Sequence, residues 1–373
     1  MPLRIIIAGG GTGGHIFPAV AIGHAVLRMH PGAELLFVGA EGKMEMEKIP
    51  EEGFNIIGLP IAGFNRSNLL MNLSLPFKLM NSVRKARGII RSFKPDAVAG
   101  VGGYASFPML NAAQSAGIPT LIQEQNSFAG KSNKILARKA KAVCVAYEGM
   151  EKFFPKEKIL LTGNPVRKAI SQSLITREEA RLAFGIEGES RVVLVVGGSL
   201  GAKSVNEAIG AGLSSIVAED VQLIWQTGKP YHETARRQAS DFGSNVRVYE
   251  FIRQMDYAYA AADVVVSGAG ALAIAELCIA GKPVIFVPYP FAAEDHQTSN
   301  AMALVQHNAA QLVRDSDAGT DLIPKLKILL HDVATQSIMR EALNRLAIHD
   351  ADDRIARELI AMATPKSTSH DAE

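Results

Sequence analysis

Cysteine is scarce in this chain. Only Cys144 and Cys278 occur in 373 residues, far apart and each inside an apolar pattern. That excludes a disulfide framework or a cysteine metal cluster, fits a reducing compartment and places both thiols in the expected core. Long apolar runs are also lacking, and Met1 to Ala8 passes into glycines without the apolar stretch of a signal peptide, so the chain is expected to stay in the cytoplasm. Net charge is small, +2, which argues against a protein that wraps a polyanion. Nucleotide-triphosphate signatures fail. Gln125 stands where Gly130-Lys131-Ser132 would need an upstream glycine, and Gly201-Ala202-Lys203-Ser204 carries one residue too many. Asp-x-Asp occurs only at Asp315 to Asp317 and Asp350 to Asp352, in late turns that read as solvated charges or helix caps, so no protein-held metal is expected.

What the chain does have is length, apolar content and an internal repeat. At 373 residues and 48% hydrophobic it exceeds one core and calls for two globular domains. Arg4 to Ala8 reads as a strand, followed by glycines to Gly14 and a helical pattern from about Ile16 to Met29. Arg191 to Val196 repeats the strand, with a second glycine turn from Gly197 to Gly201 and a helix carrying Val205 and Ile209. The segment from Pro95 to Ile122 likewise resembles that from Ala262 to Val287: strand, glycine loop, helix, Ala-Gly-x-Pro turn, strand. Such alternation demands parallel sheets, hence an α/β chain of two doubly wound domains. The boundary is placed near Gly163-Asn164-Pro165, giving domains 1–163 and 164–350. Residues 321–363 read as helical and the tail from Thr364 as disordered, with a helix in 351–373 that can pack back on the first domain.

Gly9, Gly11 and Gly14 satisfy G-x-G-x-x-G between a strand and a helix, where backbone amides approach a phosphate. Alone this suggests a dehydrogenase, with Glu41 as the ribose-binding acid. The second glycine turn argues instead for two domains facing across a shared cleft. His15 opens the first helix, where the positive end of the helix dipole disfavours imidazolium and favours a neutral, proton-accepting ring; a helix-cap or packing histidine is the alternative. Glu276 lies one turn into the helix after Gly268 to Gly270, where a carboxylate can accept two ribose hydroxyls; a surface glutamate is the alternative. Ser199, Arg167 and the helix start near Ala271 are the groups available to stabilise a departing diphosphate.

Seven segments, "AGGGTGGHIFPA", "GVGGYASFP", "EQNSFAG", "GNPVR", "VVGGSLGA", "GAGALAIAEL" and "DHQTSNA", resemble the MurG family in that family's order over nearly the whole chain. The resemblance implies a GT-B fold and inverting transfer of N-acetylglucosamine from UDP-N-acetylglucosamine to the C4 hydroxyl of the muramyl sugar of lipid I, giving lipid II, with no obligatory cofactor. It also implies a donor site of Thr12, Gly13, Gly14, Asn126, Arg167, Ser199, Ile252, Ala271, Leu272, Ala273, Ile274, Ala275, Glu276 and Gln297. Backbone around Ile252 would read the uracil, Glu276 the ribose, and Gln297 would lie near the sugar. Gly102, Gly103 and Tyr104 would face the acceptor diphosphate, with His15 as the base. A cell-wall synthesis complex is a further partner that such a function suggests. The chain departs from the family at Gly268, usually arginine, at Ala273, usually a hydroxyl residue, and at Gln123, usually histidine. Losing that hydroxyl removes a phosphate hydrogen bond worth about 1.5–3 kcal/mol. A UDP-N-acetylglucosamine 2-epimerase and a non-catalytic nucleotide-sugar binder remain as alternatives.

Charge is unevenly spread. Between Gly53 and Tyr147 twelve Lys or Arg face only Asp96 and Glu124, a formal +10 in a chain of +2, which leaves about −8 elsewhere. Within Phe64 to Phe93, Leu69, Leu70, Met71, Leu73, Leu75, Phe77, Leu79 and Met80 exceed what one core-facing stripe needs. Part of the set, with Leu69, Leu70, Leu73, Phe77 and Met80 as candidates, is expected to face outward, and Lys78, Arg84, Lys85 and Arg87 accompany them. That combination predicts peripheral docking on the anionic inner face of the bacterial membrane; a buried helix with a solvated basic face is the alternative. A nucleic-acid surface is not expected, because aliphatics rather than stacking aromatics interleave the basic residues.

Overall fold

The computed structural model describes residues 2–61, 75–198 and 200–364. Its strands are β1 (Arg4–Ala8), β2 (Glu34–Ala40), β3 (Ile56–Leu59), β4 (Ala97–Gly100), β5 (Thr120–Glu124), β6 (Ala142–Val145), β7 (Ile159–Leu161), β8 (Arg191–Val196), β9 (Val221–Gln226), β10 (Val246–Tyr249), β11 (Val264–Ser267), β12 (Val284–Phe286) and β13 (Gln311–Leu312). The helices are α1 (Gly13–Met29), α2 (Glu45–Glu51), α3 (Leu75–Phe93), α4 (Ser106–Ser115), α5 (Lys131–Ala137), α6 (Lys168–Ser171), α7 (Arg177–Ala183), α8 (Lys203–Val217), α9 (His232–Ala239), α10 (Met255–Ala261), α11 (Ala271–Ala280), α12 (His296–Val305), α13 (Ala318–His331), α14 (Val333–Leu346) and α15 (Ala351–Ala363).

They form two compact units. The first comprises residues 1–125, 129–166 and 350–373, and the second residues 126–128 and 167–349, so the chain passes between them at Val166–Arg167, just beyond the Gly163-Asn164-Pro165 turn. The first holds a parallel sheet ordered β3-β2-β1-β4-β5-β6-β7, and the second a parallel sheet ordered β10-β9-β8-β11-β12-β13. Both run third, second, first, fourth, fifth, sixth, so the sequence repeat is a repeat of topology. Each sheet is doubly wound, as the alternating pattern requires.

Burial on both faces explains the near-continuous apolar strands. In β1, Ile6 and Ala8 join one core while Ile5 and Ile7 join the core on the opposite face. In the second unit Val193, Val195, Leu223 and Trp225 pack against Ile209 and Leu213 of α8, and Trp225 donates its indole N–H to Asn206. The C-terminal helix α15 packs in the first unit: Ile355, Ala356, Leu359 and Ala363 recur at helical spacing and are buried beside Ile16 and Val26. Arg28 of α1 fixes it by hydrogen bonds to Asp352 and Asp353 at 2.8 and 2.6 Å. Asp352 of the second Asp-x-Asp run is therefore an interhelical partner, and Asp315 of the first accepts a hydrogen bond from Ser204.

Candidate functional site

In the first unit the strand order reverses between β1 and β4, and the loops leaving their carboxyl ends diverge there, the place where open α/β sheets receive ligands. Those loops are the two glycine segments, and they interlock. A Cβ on Gly103 (φ +80°) would lie 2.0 Å from Gly10 O, and one on Gly102 (φ +89°) would lie 2.7 Å from the His15 ring. The fold thus gathers His15, Gly102, Gly103 and Tyr104, whose ring lies 3.8 Å from where a Gly11 Cβ would stand. Thr12 caps α1 without a side-chain bond to its amides, and its hydroxyl meets His15 Nδ1 at 3.3 Å instead. The Gly11 N–H is occupied: it donates to Glu45 Oε2 at 2.8 Å, while Ala40 N–H donates to Glu45 Oε1 at 3.0 Å. Glu45 is only 1% exposed, so a carboxylate of the chain itself shapes this turn from beneath. A buried amide chain supports the facing loop. Gln125 donates to Val101 O at 2.6 Å and to Gln123, Gln123 donates to Asn164 Oδ1 at 2.9 Å, and Asn164 donates to Gln125 O at 2.9 Å.

The second unit repeats the arrangement between β8 and β11. Ser199, expected in its glycine turn, lies outside the described residues. Glu276 in α11 is 7% exposed; Arg167, just before α6, donates to its Oε1 at 3.0 Å, and buried Tyr259 donates to Oε2 at 3.2 Å. Burial raises the Glu276 carboxyl above its ordinary value, opposed by the Arg167 charge and by both hydrogen bonds. Burial, then the Glu276 charge, pushes the Tyr259 hydroxyl well above its usual range, so it remains a donor. Gln297 in α12 accepts from Tyr289 N at 2.9 Å and Ala269 N at 3.3 Å, tying the loops after β12 and β11. Ile252 N–H donates to Gln226 Oε1 at 2.8 Å, and Gln226 donates to Gly198 O at 3.0 Å. Buried Asn300 accepts from Ser127 N at 2.8 Å and donates to Asn126 Oδ1 at 3.1 Å, holding residues 126 and 127 in this unit. Residues Ala271, Leu272, Ala273, Ile274 and Ala275 form the start of α11, whose N-cap, Gly270, has no side chain to satisfy the first amides.

Each unit thus has a glycine turn at its switch point, the first with a histidine and the second with a carboxylate and an arginine in the same unit, an arrangement suited to a polyoxygenated ligand in each. Among the described residues no three His, Cys, Asp or Glu side chains are grouped to hold a metal ion. Residues 5–145 match the glycosyltransferase family 28 N-terminal domain, and residues 192–355 match the family 28 C-terminal domain. A Parabacteroides distasonis protein named UDP-N-acetylglucosamine--N-acetylmuramyl-(pentapeptide) pyrophosphoryl-undecaprenol N-acetylglucosamine transferase is 51% identical over 97% of this chain and 99% of its own. A Porphyromonas gingivalis protein of the same name is 53% identical over 96% of this chain and 95% of its own. The crystal structure of Acinetobacter baumannii MurG matches with a TM-score of 0.77 at 30% identity, covering 96% of this chain and 100% of that one. The chain belongs to the MurG branch of glycosyltransferase family 28. It is a two-domain glycosyltransferase of the GT-B fold. A UDP-GlcNAc 2-epimerase from Neisseria meningitidis, at 16% identity and a TM-score of 0.67, shares the fold alone.

Against this family the departures acquire physical content. A Cβ on Gly268 would meet nothing within 4 Å, so the backbone there leaves room for the first atom of a side chain. Ala273 sits in the first turn of α11 with no hydroxyl to add to its amides. Gln123, in place of histidine, is fully buried and both its polar atoms are bonded. On α3, Phe77 and Met80 are 70% and 67% exposed and Lys78 is exposed beside them, while Leu69, Leu70 and Leu73 lie outside the described residues. Among the described residues no helix is long and apolar enough to cross a membrane. Glu45, Gln125, Gln226 and Tyr259 were not singled out by the sequence. Each is a polar residue whose importance comes from tertiary burial, and only the apolar neighbours of Gln226 and Tyr259 hinted at it.

Proposed function

We propose that this chain transfers N-acetylglucosamine from UDP-N-acetylglucosamine to the C4 hydroxyl of the muramyl sugar of undecaprenyl-pyrophosphoryl-N-acetylmuramyl-pentapeptide, the step that makes lipid II for peptidoglycan. The observation that carries this is the 51% identity over 97% of the chain to a transferase of that name. The residues fit the roles. His15, half-buried beside Gly102, takes the proton of the acceptor hydroxyl as its oxygen forms a bond to the anomeric carbon. The bond from that carbon to the diphosphate breaks, UDP leaves with the electron pair, and attack opposite the leaving group inverts the anomeric centre. Charge developing on UDP meets the N-terminal end of the α11 dipole, the Arg167 guanidinium and the turn containing Ser199.

Thr12, Gly13, Gly14, Asn126, Ile252, Ala271 to Glu276 and Gln297 complete the donor site, and Gly102, Gly103 and Tyr104 receive the acceptor diphosphate. Glu276 Oε1 lies 3.0 Å from two nitrogens of Arg167 and Oε2 accepts from Tyr259, yet a carboxylate offers about four acceptor positions, which leaves one for a ribose hydroxyl. Gln297 uses its oxygen twice and keeps its NH₂ for the sugar. The enzyme works at the cytoplasmic face of the membrane, docked peripherally through Phe77, Lys78 and Met80 of α3 on anionic lipid. Mass spectrometry of the lipid product after incubation with UDP-N-acetylglucosamine and a lipid I analogue tests the reading: one added N-acetylhexosamine supports it, and an unmodified acceptor with an epimerised donor overturns it.

A further inference from the structure

Glu45 opens α2 and is buried, and the proposed reaction gives it no part. Its two oxygens go to two loops: Oε2 accepts the Gly11 N–H at 2.8 Å in the turn after β1, and Oε1 accepts the Ala40 N–H at 3.0 Å at the end of β2. Both act as acceptors, as in a carboxylate. The backbone is shaped to admit it. A Cβ on Gly39 would lie 2.5 Å from Glu45 Cγ, and one on Gly10 (φ +141°) would overlap the carboxyl group itself. The same turn also meets the facing loop, where a Cβ on Gly103 would overlap Gly10 O. Turns of the G-x-G-x-x-G kind hold a ligand's diphosphate on their backbone amides. Here the amide of the second glycine is spent on the chain's own carboxylate. Glu41, just past β2 where a dinucleotide fold keeps its ribose-binding acid, pairs instead with Lys85 at 2.7 Å.

We propose that Glu45 is a positioning residue for His15, its carboxylate serving as a built-in anion in the place a ligand's phosphate takes in turns of this kind. The inference rests on His15 being the base of the proposed reaction. The connection runs along the chain. Glu45 fixes the Gly11 amide, and the next residue, Thr12, caps α1, its carbonyl accepting the N–H groups of His15 and Ile16 at 3.0 and 3.1 Å. The Thr12 hydroxyl meets His15 Nδ1 at 3.3 Å, spending on the ring the oxygen that a capping threonine ordinarily gives to helix amides. For Nε2, beside Gly102, to take a proton, Nδ1 must carry the hydrogen and donate it to Thr12 Oγ1. A displaced turn therefore costs the ring both its aim and its tautomer.

Steady-state kinetics of the full chain with UDP-N-acetylglucosamine and a lipid I analogue test this on Glu45→Gln and Glu45→Ala. Glutamine keeps the volume but accepts only one of the two N–H groups, with its NH₂ set against the other; alanine empties the seat. Both should lower kcat by about 10–100-fold, the cost of a base misplaced by about 1 Å. UDP affinity by calorimetry should stay at the parental value, because Arg167, Ile252 and Glu276 lie in the second unit. Sodium formate, compared with sodium chloride at equal ionic strength, should restore kcat several-fold in Glu45→Ala, because a small carboxylate can re-enter the seat. It should not restore Glu45→Gln, whose amide still fills that seat. A residue that only stabilised the fold would lower the melting temperature and respond to the two salts alike. Parental kcat in either variant, recovery of Glu45→Ala no greater with formate than with chloride, or equal recovery of Glu45→Gln overturns the proposal. Where Glu45→Ala does not melt cooperatively, Glu45→Gln decides through the ring-nitrogen resonances of His15 by NMR: displaced resonances with lowered kcat support the proposal, and parental ones overturn it. Parental kcat in His15→Ala overturns the base reading instead.

Discussion

At the residue scale the proposed function divides the chemistry between His15 and Glu276. His15 sits against the Gly102 backbone with its Nδ1 at the Thr12 hydroxyl. His15→Ala should lower kcat by about 10²–10⁴-fold, the range for a positioned general base, with UDP affinity unchanged; near-parental kcat in steady-state assays would return His15 to a capping or packing role. Glu276→Ala removes the acceptor of the buried Tyr259 hydroxyl and the partner of Arg167. It should raise the donor KM and cost about 1–3 kcal/mol of stability from the stranded hydroxyl. Calorimetry showing parental UDP affinity in that variant would remove the ribose assignment. The sequence made these two residues visible because each follows a glycine turn at a helix start. It could not show that Arg167 reaches Glu276 from 109 residues away, nor that Glu45, in the charged run "MEMEK", is buried under the first glycine turn. Local pattern assigns that run to a solvated helix face, and tertiary placement overrides it.

Among elements, the strands were the most legible. β1 and β8 occupy the ranges expected from their β-branched runs, because each ends at a glycine that must adopt a turn. The pairing of β4, α4, β5 with β11, α11, β12 likewise follows the sequence repeat. Helix boundaries were less legible: residues 321–363 read as helical with a separate helix expected from 351, and Asp332 and residues 347–350 divide the stretch into α13, α14 and α15. Lys282, in the turn between α11 and β12, was not legible. It donates to Ala260 O and Ala262 O at the end of α10, and burial lowers its amine from 10.5 to about 8. The folded chain therefore binds fewer protons than the unfolded chain between those values, so this group's contribution to stability rises with pH across that window and its cost is fully present below it. Urea unfolding should show the parent gaining on Lys282→Met as pH rises from about 8 to about 10; a constant difference would contradict the shift. For α3, liposome co-sedimentation should show binding to anionic and weakly to neutral vesicles, falling with salt and with Phe77→Glu plus Met80→Glu. Equal binding to both vesicle types, or none, would return α3 to a solvated basic face.

For the whole molecule, two sheets of matching topology give two switch points, and each gathers one set of chemistry-bearing residues: His15 with Gly102, Gly103 and Tyr104 in the first unit, Arg167 with Glu276 and Gln297 in the second. The repeat made the pair of domains readable from the sequence, and the seven ordered segments made the family readable. The assignment of α15 to the first unit depends on burial of Ile355 and Leu359 against α1, which amphipathic spacing permits but does not direct to either domain. Under the proposed function, the departures at Gly268 and Ala273 shift the burden of stabilising the departing diphosphate onto Arg167 and the start of α11. The most direct test of the central claim is continuous measurement of UDP release from UDP-N-acetylglucosamine with and without a lipid I analogue. Release that requires the acceptor, at a rate of about 1 s⁻¹ or more in the range ordinary for enzymes, is the predicted result; release at the same rate without acceptor, or no release with it, would contradict it.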